Sequence, residues 1–203
     1  MQNILKQFIL GAALFAAGVL SSEETIADKS TGKTFPVNVS FSHGGKEWNL
    51  NATGVSTRTK FFVKVYSVAS YIQEGADLNK NNVFNQALND NLAKQLTQIW
   101  VRDVDSKTIK DGYQDTFKKV FSQAQQQALQ SQEEQFLGFF NENASVNDKH
   151  VLRWIPGGII EVEINGVKKG EVQSPEFARA VWSIWLGPKS VVNRAQLVSR
   201  VGG

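Results

Sequence analysis

Between Val151 and Gln173 the chain alternates short apolar-rich runs with turn signals: Val151 to Ile155, then Pro156, Gly157 and Gly158, then Ile159 to Ile164, then Asn165 and Gly166, then Val167 to Gln173. Asn-Gly between alternating runs is the strongest short-range hairpin signal, because both central positions of a tight type I′ turn need positive φ. Three strands joined this closely have no room for a crossover, so they must be antiparallel neighbours in one sheet. That requirement narrows the chain to folds built on an antiparallel meander.

The same pattern recurs near the start. Val37, Val39 and Phe41 alternate with polar neighbours, Trp48, Leu50 and Ala52 do so again, and Gly44 and Gly45 lie between the two runs. This predicts a second hairpin. The stretch Gly54 to Tyr71 that follows is rich in β-branched and aromatic residues and reads as one long strand, with Thr59, Phe61, Val63, Val65, Ser67, Ala69 and Tyr71 on a core-like face and Arg58, Lys60, Phe62, Lys64, Tyr66 and Val68 on the other. Arg58 and Tyr66 share that second face and form a candidate anion site: a guanidinium forks onto a carboxylate and a phenol supplies a further donor. Lys60 and Lys64 fall on the same face, so the pair can form a pocket only if a bend or bulge turns the lysines away.

Helices are expected between and after the strands. Val83, Phe84, Ala87 and Leu88 suit a short helix, and Gln95 to Arg102 returns to strand-like composition. Asp105 or Ser106 caps a helix whose apolar positions run through Ile109, Tyr113, Phe117, Val120, Phe121, Ala124 and Ala128. A second helix over Gln132 to Asn141 carries Phe136, Leu137, Phe139 and Phe140, either filling the core or walling an apolar cavity. Ser174, Pro175 and Glu176 stand in the order of a helix start; that helix carries Phe177, Val181, Ile184 and Trp185 and stops at Gly187 and Pro188. A last helix is expected from Ser190, burying Leu197, Val198 and Val201. Grouped helices and antiparallel strands make the class α+β, with a large antiparallel sheet covered on one face by helices.

The 203 residues are 41% hydrophobic and 20% charged, as expected of one globular domain, and the formal net charge of +3 is spread thinly. No basic stripe of the kind that grips nucleic acid is present. The absence of cysteine removes disulfides and thiolate chemistry. His43 beside the glycine turn reads as exposed and His150 as a strand-edge residue; neither sits in a metal-ligand spacing, so no metal site is expected. Glycine-rich phosphate loops and the serine-hydrolase elbow are also missing, so no cofactor is expected. Glu133 with Glu134, and Glu161 with Glu163, have nothing in sequence that would drive their pKa values apart as a catalytic pair requires.

Residues 1–27 read as an export signal preceding a domain over 28–203. Lys6 supplies the positive start, Phe8 to Leu20 the apolar segment, and Ser21, Ser22 or Ala27 a small residue for cleavage. The apolar segment is shorter than the about twenty residues a membrane span needs, so the expectation is a soluble protein of the bacterial periplasm or exterior.

Three segments together, Gly54 to Tyr71 with Arg58 and Tyr66, Trp154 to Gly158 with the Asn-Gly that follows, and Phe177 to Gly187, resemble the chalcone isomerase superfamily, and in particular its bacterial exported chalcone isomerase-like proteins. The resemblance implies an open-faced β-sandwich with a ligand cleft between sheet and helices. It places Arg58 at the arginine of the plant isomerases, Tyr66 at their strand threonine and Tyr113 at their tyrosine. The asparagine seven residues on is replaced by Val120, and the late hydroxyl residue by Ile184. Fatty-acid-binding members pair an arginine with a strand tyrosine, and there the pair holds a carboxylate while an apolar cleft holds the tail. The resemblance therefore implies a non-catalytic protein binding a small amphipathic carboxylate such as a fatty acid, with Arg58, Tyr66 and Tyr113 as ligand-binding residues. An isomerase or lyase using Arg58 with Tyr66 or Tyr113, and an interaction protein with a vestigial cleft, are the alternatives.

Overall fold

A computed structural model describes residues 24–202. The expected leader lies outside them except for its last few residues, of which Thr25–Ala27 form a strand, β1, paired with β2 (Thr34–Pro36). The main sheet has seven antiparallel strands in chain order: β3 (Asn38–His43), β4 (Lys46–Lys60), β5 (Val63–Gln73), β6 (Lys94–Trp100), β7 (Lys149–Ile155), β8 (Ile159–Ile164) and β9 (Val167–Gln173). Every strand of this sheet therefore neighbours its predecessor, through short turns except for the longer helical segments between β5 and β6 and between β6 and β7. Asn165 and Gly166 take φ of 51° and 81° in the β8–β9 turn.

Helices lie on one face of this sheet: α1 (Val83–Ala87), α2 (Ser106–Val120), α3 (Gln123–Ala128), α4 (Gln130–Leu137) and α5 (Pro175–Leu186). The fold is α+β, a large antiparallel sheet covered on one side by helices. Val68, Leu96, Leu152, Trp154, Ile160 and Val162 form the floor of the main core, and Phe117, Phe136, Phe177 and Trp182 descend onto it from α2, α4 and α5. A smaller apolar cluster on the opposite face joins Phe41, Leu50, Ala69 and Tyr71 to Phe35 of β2. Asp28 fastens this ribbon, accepting from Thr57 Oγ1 at 2.5 Å, Ser67 Oγ at 2.8 Å and the Ser30 amide at 2.9 Å.

Two close approaches depend on glycine. A Cβ on Gly54 would stand 2.1 Å from the Gln196 carbonyl oxygen, where the C-terminal segment crosses β4. One on Gly158 would stand 2.3 Å from the Pro175 nitrogen, at the start of α5.

The structure corrects several expectations. Gly54 to Tyr71 is two strands, not one: the chain reverses at Phe61 and Phe62, whose φ of 49° and 65° are those of a type I′ turn. The helix-covered core then takes Tyr66 and Val68, while Ser67, Ala69 and Tyr71 are buried on the opposite face under the N-terminal ribbon. The helix foreseen to Ala128 breaks at Phe121, which turns extended, because Ser122 and Gln125 form a capping box that starts α3. No helix begins at Ser190. Its hydroxyl bonds the Trp185 and Val192 carbonyls, and only a 3₁₀ turn, Gln196–Val198, follows. His150 is not at an edge: it is 2% exposed on the helix-covered side of β7. His43 ends β3 and is half-buried, 3.6 Å from Glu161. Glu161 is itself buried and held by Arg153 at 2.8 Å and Lys168 at 2.9 Å.

Candidate functional site: a cleft between hairpin and helices

The β4–β5 hairpin places Arg58 and Tyr66 directly opposite one another in register, so the two side chains project from the same face of the sheet. Immediately beyond, the register shifts: Thr59 pairs with Lys64 and leaves Val65 as an extra residue. This bulge sends Val65 towards the cleft and Lys64 to the other side, where its ammonium donates to the Ser30 carbonyl. Lys60 stays at the cleft mouth. The irregularity that a pocket at Arg58 and Tyr66 requires is therefore present.

Arg58, Tyr66 and Tyr113 all line one cleft of ≈ 510 Å³ between the hairpin, β6, α2 and the segment after α5. That volume lies in the range of about 300–1,000 Å³ usual for small-molecule sites. Arg58 is half-buried and donates from Nη1 to the Val191 carbonyl at 2.7 Å, its one hydrogen bond among the described residues, which aims the guanidinium. Among the described residues no carboxylate lies within 4.0 Å of it. Tyr66 is 9% exposed and accepts from Trp185 Nε1 at 3.0 Å, so its own proton is available to donate. Burial pushes the Tyr66 hydroxyl up to about 12, against the opposing pull of Arg58 and the Trp185 bond.

Tyr113 projects from α2 into an aromatic wall, its ring 4.9 Å from Phe140 and 5.1 Å from Phe136. Burial raises its pKa strongly, with Tyr66 adding to the rise and the Gln98 amide opposing it. Both phenols are thus neutral donors at ordinary pH and poor bases. Ile184 lines the cleft where the isomerase pattern calls for a hydroxyl, and Val120 is not among the lining residues.

Two residues that the sequence did not single out complete the site. Gln98 and Trp100 stand on β6 opposite Val68 and Tyr66, both line the cleft, and both are buried. Among the described residues Gln98 Nε2 and Trp100 Nε1 meet no acceptor at hydrogen-bond geometry, although the Gln98 side chain is near enough to the Tyr113 hydroxyl to pull its pKa down. A buried donor left unpaired is costly, so two in a cleft that also holds Arg58 suit it to an acceptor. The signal was Gln98 itself, a polar residue between Leu96 and Trp100 on the core face.

A second cluster invites comparison. Ligand atoms of His43, Glu161 and Glu171 lie within 4.8 Å of one another on the opposite face. Arg153 and Lys168 already neutralise Glu161, and Lys168 also holds Glu171 at 2.8 Å, so the group is an ion-pair network.

An antiparallel sheet roofed by helices, with a cleft between the layers lined by an arginine, two phenols and other aromatic side chains, defines an open-faced sandwich. The chain belongs to the chalcone isomerase-like family, whose family model matches residues 27–196. The crystal structure of an Arabidopsis thaliana fatty-acid binding protein is similar in fold, with a TM-score of 0.69 at 16% identity over 86% of this chain and 96% of that one. No curated protein matches the chain by sequence.

Proposed function

We propose that this protein binds a small amphipathic carboxylate, a fatty acid in the first instance, without transforming it. The carboxylate sits between the Arg58 guanidinium and the Tyr66 hydroxyl, and the tail runs along the aromatic wall at Tyr113. One observation carries the reading: a charged donor and two buried N–H groups without an acceptor among the described residues line the same cleft, together with aromatic and aliphatic side chains. That the Arabidopsis thaliana protein of similar fold is a fatty-acid binding protein supports it. The apolar Ile184, where the isomerase pattern calls for a hydroxyl, argues against the isomerase alternative.

Export to a bacterial periplasm, as in the exported members of the superfamily, is part of the proposal. It rests on the leader pattern of residues 1–27. Cleavage near Ser21 or Ser22 would keep β1, whereas cleavage at Ala27 would remove it.

Native mass spectrometry after mild purification, followed by titration with palmitate and oleate, tests the reading. Saturable 1:1 binding that Arg58→Ala weakens at least tenfold is expected. Equal binding by the variant would overturn the head-group assignment, and consumption of an added chalcone above background would overturn the non-catalytic one.

A further inference from the structure

Among the described residues the two most exposed large apolar side chains are at the tip of the β4–β5 hairpin: Phe61 is 85% and Phe62 101% exposed, with Val63 beside them at 43%. The tip stands clear of the sheet: pairing of β4 with β3 ends at Asn51, and pairing of β5 with β6 begins only at Tyr66. Phe61 and Phe62 also occupy the two central turn positions, where φ is positive and sterics favour asparagine and glycine. Neither ring is buried; Phe61 meets only the edge of the cleft and the Lys60 ammonium, and Phe62 is fully exposed. A bulky apolar pair kept in an unfavourable backbone conformation and fully in solvent calls for a partner outside the molecule.

Charge identifies that partner. From Trp48 to Gln73 the chain has no acidic residue, and Arg58, Lys60 and Lys64 stand on the hairpin arms. Lys60 and Lys64 are exposed, with the Lys60 ammonium 5.9 Å from the Phe61 ring. Asp103 and Asp105 belong to the other lip of the cleft, where they are engaged by the Val146 and Thr108 amides. Two aromatic rings at a protruding tip with cations just behind them match the two layers of an anionic bilayer surface, acyl chains inside and headgroups outside. No helix of the described residues is long and apolar enough to cross a membrane.

We propose that the β4–β5 hairpin tip docks this protein onto anionic membrane surfaces, with Phe61 and Phe62 entering the acyl region and Lys60 and Lys64 meeting the headgroups. Lys60, Phe61 and Val63 also line the cleft mouth, so a docked molecule presents its cleft to the bilayer. The docking does not require that the cleft hold a fatty acid. If the cleft does, the contact supplies a route by which an acyl chain passes between membrane and cleft without crossing water.

Co-sedimentation of the full mature chain with vesicles tests this. Vesicles of phosphatidylethanolamine with phosphatidylglycerol should bind it at least tenfold better than phosphatidylcholine alone, and Lys60→Gln with Lys64→Gln should abolish that preference. The double variant Phe61→Asn, Phe62→Gly installs the pair this turn favours, so it should fold at least as well as the parent yet lose vesicle binding at least tenfold. A parent that binds neither vesicle, or a folded double variant that binds like the parent, would overturn the proposal. So would a parent that ignores vesicles but dimerises in analytical ultracentrifugation through the same two phenylalanines, since that makes the tip a protein contact. Fatty-acid titration of the same samples is a separate readout: docking without fatty-acid binding keeps this inference and removes the head-group reading, and the reverse outcome does the opposite.

Discussion

Arg58 and Tyr66 were legible as a pair because their chemistry is scarce in an apolar run, but the geometry that joins them was not. Spacing along one strand puts them far apart; the reversal at Phe61 and Phe62 makes them direct cross-strand partners. Gln98 and Trp100 escaped notice because an unpartnered N–H is a property of surroundings that sequence does not display. Their roles can be separated by substitution. Arg58→Lys keeps the charge and loses the fork, so fatty-acid affinity measured by calorimetry should fall less than in Arg58→Ala, where a charge-assisted bond of about 1.5–3 kcal/mol goes, or roughly ten- to a hundredfold. Tyr66→Phe acts twice. It removes the proposed head-group donor and strands Trp185 Nε1, which in the parent donates to the Tyr66 hydroxyl, so affinity should drop and thermal unfolding should show a loss of about 1–3 kcal/mol.

At the scale of elements, legibility followed the turn residues. The β8–β9 hairpin and the start of α5 were read from Asn165, Gly166, Ser174 and Pro175, each of which has a local reason to be where it is. The β4–β5 turn was missed for the opposite reason, since two phenylalanines are strand formers and nothing local asks them to reverse the chain. The break between α2 and α3 was readable in principle from Ser122 and Gln125, which have capping-box spacing, but the apolar stripe through Phe121 and Ala124 concealed it. A consequence belongs to the hairpin as an element. Replacing Phe61 and Phe62 by Asn and Gly relieves two residues held at positive φ, and urea unfolding should show the variant more stable by about 1–2 kcal/mol. The ribbon depends in the same way on Asp28, whose carboxylate answers Thr57, Ser67 and Ser30. Asp28→Ala leaves buried hydroxyls without their acceptor and should cost about 2 kcal/mol in the same assay.

Across the whole molecule, acid is the condition that should undo the fold first, and His150 is the main reason. It is buried on the helix-covered face with its ring 5.2 Å from Trp100 and 5.8 Å from Phe140, and its Nδ1 finds no partner among the described residues. Burial lowers its pKa to about 4; Asp148 and Glu142 pull it back up, and Lys169 pushes it further down. The ordinary value of 6.5 applies once the chain unfolds, so between the two values the unfolded state binds the extra proton. Stability from this residue is therefore complete above about pH 6.5 and is lost as pH falls through about 4, by on the order of 3 kcal/mol. Asp28 adds a lower step: burial raises its pKa, but its bonds to Thr57, Ser67 and Ser30 outweigh that and hold it below its ordinary 3.8, so its contribution fades only in stronger acid. Thermal unfolding followed by circular dichroism from pH 7 to pH 4 should show a falling midpoint in the parent. In His150→Phe, which keeps the aromatic packing and has nothing to protonate, the slope over that range should be markedly shallower, whatever the variant's absolute stability. An equal slope in both proteins would show that the acid sensitivity lies elsewhere, with the Glu161 network next in line, since burial opposes its carboxylate and only the Lys168 and Arg153 contacts keep it charged.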